Sequence, residues 1–499
     1  MKTRLQRAAV GIAIAIAADP VFAHVMQTAY NLPVPLWMYA YGATAALVAS
    51  FVVVGYFVRV DRVGHGIRTF EASTGIARLI GSPRLLTALR WLGGGYFALT
   101  VTAGLFGPAS PTANANLTFF WVGFVLGFSY LTALVGDVYS RVDPVQWVFD
   151  GFEKLAPGLL RERAHYPAWL AYYPAFALYV AFIWLELFGR TSPRTLSMLL
   201  IGYTLFALAF AATFGRSAWT RYGDYFAVFL RLVAKIAPVE IFVASNRCEG
   251  LRFRLRYPFA GLLDARAEHL SLLLFVLFML SSTAFDGVHE TVPWVGVFWK
   301  HIYPVLASFV GTAVAQPYLL LVRTYYWWQW LMLLLSPFVY LLIYSAFIFL
   351  AKAITRSPLS VRELGLIFAY SLIPIGFVYH VTHYFTLLLS QGPSILSLLS
   401  DPFAMGWNLF ETKNMFLDGI FLEAGTIWHI QVWLILIGHV VSVYLSHVEA
   451  IRVFGSARRA TLSQAPLLLL MVALTTFGLW ILSLPIAAGQ IMLPPTSSG

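Results

Sequence analysis

The sequence predicts an all-α fold, a polytopic integral membrane bundle, and three observations carry that reading. Hydrophobic residues make up 60% of the 499 residues and charged residues only 11%, against about a quarter charged in ordinary soluble domains. Apolar runs of about 18 residues or more recur, each long enough to cross a hydrocarbon core of about 30 Å as a helix. Basic residues gather in the short loops between those runs, as the positive-inside rule requires of cytoplasmic loops. The net charge of +11 is therefore topology signal. With no basic helix and no aromatic platform, nucleic acid is not an expected partner. A single cysteine, Cys248, excludes an internal disulfide, a thiolate zinc site and an iron–sulfur cluster held by this chain alone.

Taken in order, Lys2, Arg4 and Arg7 precede the apolar stretch Ala8 to Ala18, and Val21-Phe22-Ala23 offers a cleavage site. Residues 1–23 thus read as a signal peptide and residues 24–499 as one integral membrane domain beginning at His24. An N-terminal histidine presents an amine and an imidazole together, a chelate suited to copper.

The expected spans are 37–58, 88–106, 118–136, 167–188, 195–215, 269–285, 329–350, 364–390, 428–447 and 466–488, with 303–322 as a further candidate, ten or eleven in all. Arg59, Arg62, Arg68, Arg78, Arg84 and Arg90 place the first loop in the cytoplasm. The same rule places 137–166 and the long basic segment 216–268 there, the latter with Tyr225 to Ile236 as an amphipathic interfacial helix. A full crossing by 303–322 would put the basic loop 449–465 outside and the acidic loop 391–427 inside. A re-entrant 303–322, helped by Pro304, Gly311 and Pro317, restores both loops to their expected sides and makes 391–427 periplasmic.

Ionisable groups inside spans are costly and mark function. His380 and His383 lie three residues apart on one helix face. His383 falls about 12 Å below the outer end of its helix and His439 about 16 Å below the mouth of the next, at 1.5 Å per residue. Asp286 closes the sixth span, followed by His289 and Glu290. One outer-leaflet pocket can then hold a divalent transition metal, zinc, copper, iron or manganese, on His380, His383, His439 and Asp286, with His429 and His24 as further ligands. His289 and Glu290 would move protons as catalytic groups. The structural alternative is that these histidines only bridge helices by hydrogen bonds. Asp401-Pro402-Phe403 and Trp407 to Phe410 read as a cover over that pocket, and Trp294, Trp299, Trp327, Trp328 and Trp330 as an interfacial belt. Glu186 sits near an outer helix end.

Several strings carry a resemblance: the Ala23-His24 start, Leu32 to Trp37, Thr283-Ala284-Phe285-Asp286-Gly287, Tyr379 to Phe385, Ser400-Asp401-Pro402, Ile427 to Val432, and Gly438-His439-Val440. With Gly223-Asp224-Tyr225-Phe226 through Ala237-Pro238, they resemble the bacterial membrane family of fenitrothion hydrolases over most of the chain. The resemblance implies hydrolysis of an aryl phosphorothioate triester in the bacterial inner membrane. It brings no catalytic residues to carry over. The expected mechanism has a lipophilic substrate entering from membrane lipid and a metal-bound hydroxide attacking phosphorus. Two readings compete: a haem- or copper-binding protein for electron transfer or metal handling, since two imidazoles at one depth suit bis-histidine haem, and a subunit of a larger membrane complex or a homo-oligomer.

Overall fold

The computed structural model describes residues 35–58, 70–71, 82–111, 113–189, 191–243, 251–310, 317–413 and 420–484. His24, the signal peptide and Cys248 lie outside the described residues. The helices in chain order are α1 (Leu36–Phe57), α2 (Pro83–Phe106), α3 (Ala115–Val135), α4 (Pro144–Leu155), α5 (Tyr173–Phe188), α6 (Pro193–Phe214), α7 (Tyr225–Ala234) and α8 (Leu270–His289). Then follow α9, made of three consecutive pieces (Val292–Gly296, Val297–Ile302 and Tyr303–Val310), α10 (Pro317–Thr355), α11 (Val361–Gln391), α12 (Ala424–Phe454) and α13 (Ala457–Ser483). Among the described residues eight helices are long and apolar enough to cross a membrane: α1, α3, α6, α8, α10, α11, α12 and α13. The protein is an all-α, multi-pass membrane bundle, and α2 and α5 stand where two more spans were expected.

Local chemistry sets the helix ends. Ser82, Ser192 and Ser360 each accept a backbone N–H at the start of α2, α6 and α11, and Glu363 completes a capping box with Ser360. Gly455, at φ 60°, ends α12 in the left-handed conformation that glycine adopts without steric cost. One short sheet lies at one end of the bundle: β1 (Phe70–Glu71) and β2 (Val239–Val243) both pair antiparallel with β3 (Leu251–Leu255). Arg266 and Arg452 bind Glu449 at this sheet end.

Helix α8 is apolar all round, and such a helix belongs in the middle of a protein. Nearly every one of its residues is buried, with α5, α10 and α11 packed against it. Helices α11 and α12 approach closely at Gly438. A Cβ there would overlap the Val378 side chain and lie 3.1 Å from the Pro374 carbonyl oxygen. Gly438→Leu should therefore cost about 1–3 kcal/mol by overpacking, occasionally more, and lower the melting temperature in mild detergent. An unchanged melting temperature would show that the two helices part freely there.

Two expectations change. Segment 303–322 is not one re-entrant element: helix begins at Val292, and Pro317 opens a separate helix. Instead α9 lies antiparallel along the start of α10, with the Trp294 indole N–H donating to Gln329 Oε1 at 2.9 Å and Phe298 packed on Tyr325 and Trp328. Helix α10 has 39 residues, about 58 Å at 1.5 Å per residue, so this hairpin continues well past one membrane thickness. Because the hairpin makes no net crossing, 391–427 falls at the far end and the turn at Gly455 at the sheet end, as the charge rule asked. The second change concerns Tyr225–Ala234. It forms a helix, but seven of its residues are buried inside the bundle, among them Tyr225, which packs on Phe182 and Tyr179. It is an internal helix and not an interfacial one, because its aromatic face meets other aromatic side chains on both sides.

Candidate functional site

Asp286 lies one turn before the end of α8 and is 5% exposed. The geometry of α8 and α11 brings His383 against it: His383 Nε2 is 2.7 Å from Asp286 Oδ2, and the Tyr384 hydroxyl donates to the same oxygen at 3.0 Å. Glu186 on α5 lines the same cavity as Asp286 and Tyr384. Three helices thus bring two carboxylates, an imidazole and a phenol to one buried place. Burying that many polar groups is tolerable only when they satisfy one another.

The network borders a cavity of about 40 Å³. Glu186, Asp286, His380 and Tyr384 face it, and α7 closes it with Tyr225, Phe226 and Phe229. Helix α3 adds Phe124 and Ser129 from a stretch whose residues Thr118–Gly127 are wound as a π-helix, a form that concentrates at functional positions. Among the buried polar atoms of residues lining the cavity, the Tyr225 hydroxyl, the Ser282 hydroxyl and His380 Nε2 make no hydrogen bond within the protein. Buried polar atoms of this kind are normally satisfied by water or a ligand, and a cavity of this size holds about two to four waters at 10–15 Å³ each.

The remaining expected site residues are distributed elsewhere. His439 is fully buried but packs edge-on against Tyr379, and its Nδ1 is bonded to the Ile435 carbonyl at 2.8 Å. At the level of His383 it is Gln431, not His439, that meets α11, donating to the Thr382 carbonyl at 3.0 Å. His429 is exposed, with Nδ1 2.6 Å from the Gly425 carbonyl. His289 Nδ1 is 2.8 Å from the Asp286 carbonyl oxygen, and its Nε2 is 3.9 Å from Glu290. The far-end loop does not cover the Asp286 pocket: Ile395, Leu398, Leu399 and Phe403 pack over α2 and α3.

Among the described residues no group of three or more His, Cys, Asp or Glu side chains is placed to hold a metal ion. The donor set explains why. His383 and Tyr384 already hydrogen-bond the Asp286 oxygen directly; of the other expected ligands His380 faces the cavity, while His439 and the further candidate His429 face other partners. The arrangement does not fit the expected chelate.

No family model, no curated protein and no solved structure matches this chain.

Sequence reasoning missed Tyr384 and Tyr225 as members of the site, and it read Glu186 only as a residue near an outer helix end, with a place at the pocket rim as the alternative. Glu186 was visible as a carboxylate in the last turn of an apolar run, and both tyrosines adjoin charged residues in the strings quoted above. It also missed a second buried network toward the sheet end. Asp143 and Asp224 are 2% and 0% exposed, and each caps a helix: Asp143 accepts from Val145 and Gln146 to start α4, Asp224 from Phe226 and Ala227 to start α7. The Tyr139 hydroxyl lies 3.4 Å from a carboxylate oxygen of each, and the Tyr203 hydroxyl donates to Asp224 at 2.7 Å.

Proposed function

We propose that this protein is a hydrolase of lipophilic esters, organophosphorus triesters among them, working inside the bacterial cytoplasmic membrane. The observation that carries the reading is the Asp286 carboxylate, held by His383 and Tyr384 at the wall of a water-sized cavity between membrane helices. A carboxylate within reach of a trapped water is positioned to act as a general base. The resemblance to fenitrothion hydrolases supports the substrate class.

In this mechanism Asp286 takes a proton from a cavity water as the water oxygen attacks phosphorus. One P–O bond forms, the P–O bond to the aryloxide breaks, and the proton leaves through His383 toward Glu290, which is 39% exposed at its side chain. Glu186 orients the water and Tyr384 fixes Asp286. The cavity is far below the roughly 300–1,000 Å³ of pockets for small organic ligands, so the substrate must part α5, α7 and α11 as it enters from lipid. Aryl phosphorothioate added to the purified protein in mild detergent should release the phenol, followed by its absorbance, in proportion to protein. Phenol release no faster than in detergent alone would sink the reading.

A further inference from the structure

We propose that the bundle carries protons between its two ends, from Glu290 and His383 through Asp286 and Glu186, across the cavity to Tyr225, and on through Asp224 to Asp143. This goes beyond the hydrolase reading and does not depend on it.

The far-end half is built around Asp286. Glu290 is exposed and lies 3.9 Å from His289, whose Nδ1 is 2.8 Å from the Asp286 carbonyl oxygen. His383 and Tyr384 meet the Asp286 carboxylate at 2.7 and 3.0 Å, and Glu186 lines the cavity beside them. The sheet-end half is connected: Tyr203 and Tyr139 hold Asp224, and Tyr139 reaches Asp143. Ser140, next to Tyr139, is exposed to solvent, so the second network ends one residue below the surface.

Tyr225 joins the halves. It is 4% exposed, borders the cavity, and its hydroxyl makes no hydrogen bond within the protein. It follows Asp224 in the chain, lines the cavity together with Glu186, and its ring lies 6.1 Å from that of Tyr203, whose hydroxyl donates to Asp224. Two to four waters in the cavity, about what its volume admits, would satisfy that hydroxyl and His380 Nε2 and bridge them to Glu186. Strings of buried acidic, imidazole and hydroxyl groups across a membrane bundle are the material of proton relays. Each transfer passes one proton and returns its carriers to their starting forms, so no redox partner is required. Asp143 suits the inner terminus: it is the last acid of the sheet-end network, and burial and the neighbouring Asp224 push its carboxyl up from the ordinary carboxylate range.

The test uses the full chain in lipid vesicles loaded with a pH-sensitive dye, with a potassium diffusion potential driving protons and no ester present. Vesicles with protein should acidify several-fold faster than protein-free vesicles. Tyr225→Phe keeps the ring contacts with Phe182 and Tyr179 and removes only the hydroxyl; it should return the rate to the protein-free value, and Glu186→Gln should do the same from the other side of the cavity. Both variants are checked for an unchanged melting temperature. Acidification no faster than in protein-free vesicles overturns the proposal, and so does a Tyr225→Phe variant that conducts as the parent does. Triester hydrolysis, measured separately in detergent, is untouched by either failure.

Discussion

Asp286→Asn is expected to abolish triester hydrolysis to within the background, a loss of about 10²–10⁴-fold, the range that a positioned general base supplies. Asparagine has nearly the same shape and still accepts the Tyr384 hydroxyl through its amide oxygen, so α8 and α11 should remain packed as they are. What it loses is the capacity to take a proton at the cavity wall. The loss should therefore fall on kcat with KM little changed, because an interaction made only in the transition state is removed. His383→Ala acts one step further out. It removes the imidazole that lies 2.7 Å from Asp286 and leaves a buried carboxylate with one fewer partner, which costs stability as well as rate. A correctly folded Asp286→Asn variant that hydrolyses the triester at the parent rate would remove Asp286 from the mechanism. The two variants also separate roles: equal losses would make His383 and Asp286 one proton-handling unit, and a smaller loss in His383→Ala would make the imidazole a positioning group.

The spans were legible because hydrophobic runs of membrane length have few alternative structures. The stretches expected at 37–58, 118–136 and 195–215 coincide with α1, α3 and α6 to within a few residues. Asp286 and His383 were legible for the same reason in reverse, since a charge inside such a run demands a partner. His439 was misplaced by helix register. Reading its helix from residue 428 put His439 level with His383, whereas α12 begins at Ala424. The helices slide so that Gln431 meets Thr382, and His439 lies eight residues further along, about 12 Å deeper at 1.5 Å per residue, beside Tyr379. Depth along a helix can be counted from sequence, but the offset between two helices is set by small-residue contacts such as Gly438 on Val378, and these are visible only once the pair is assembled. The internal position of α7 was hidden similarly. Its pattern of apolar and basic residues matches a surface helix, yet Arg231 donates to the backbone carbonyls of Thr220 and Arg221, which frees the rest of the helix to be buried. The networks around Asp286 and Asp224 join residues far apart in sequence, Tyr384 with Asp286 and Tyr139 with Asp224, and nothing local announces such pairs.

The second large effect is a pH dependence of stability centred on Asp143. Its carboxyl is pushed up to about 8, first by burial and then by the charge of Asp224, while in the unfolded chain it titrates near the ordinary 3.8. Among the described residues no cationic side chain lies within ion-pair distance of either carboxylate: Arg216 pairs with Asp150 at 2.9 Å and Arg221 with Glu268 at 3.1 Å. The facing groups are the phenols Tyr139, Tyr203 and Tyr225, which stay neutral. A group that binds its proton more tightly folded than unfolded stabilises the fold fully below the unfolded value. That stability falls as pH rises toward the folded value, at up to about 1.4 kcal/mol per pH unit. The parent protein in detergent should therefore lose melting temperature steadily between about pH 4 and pH 8 and level off above. Asp143→Asn cannot ionise, keeps an acceptor for the Val145 and Gln146 amides, and should flatten the curve so that the variant matches or exceeds the parent at pH 8. Because Asp224 anchors the start of α7, and α7 walls the cavity, the same rise in pH should speed amide exchange in residues 225–234 of the parent and leave the variant unaffected. A variant whose melting temperature falls with pH as steeply as the parent's would place the titrating proton on another group and detach this carboxyl pair from the packing of α7.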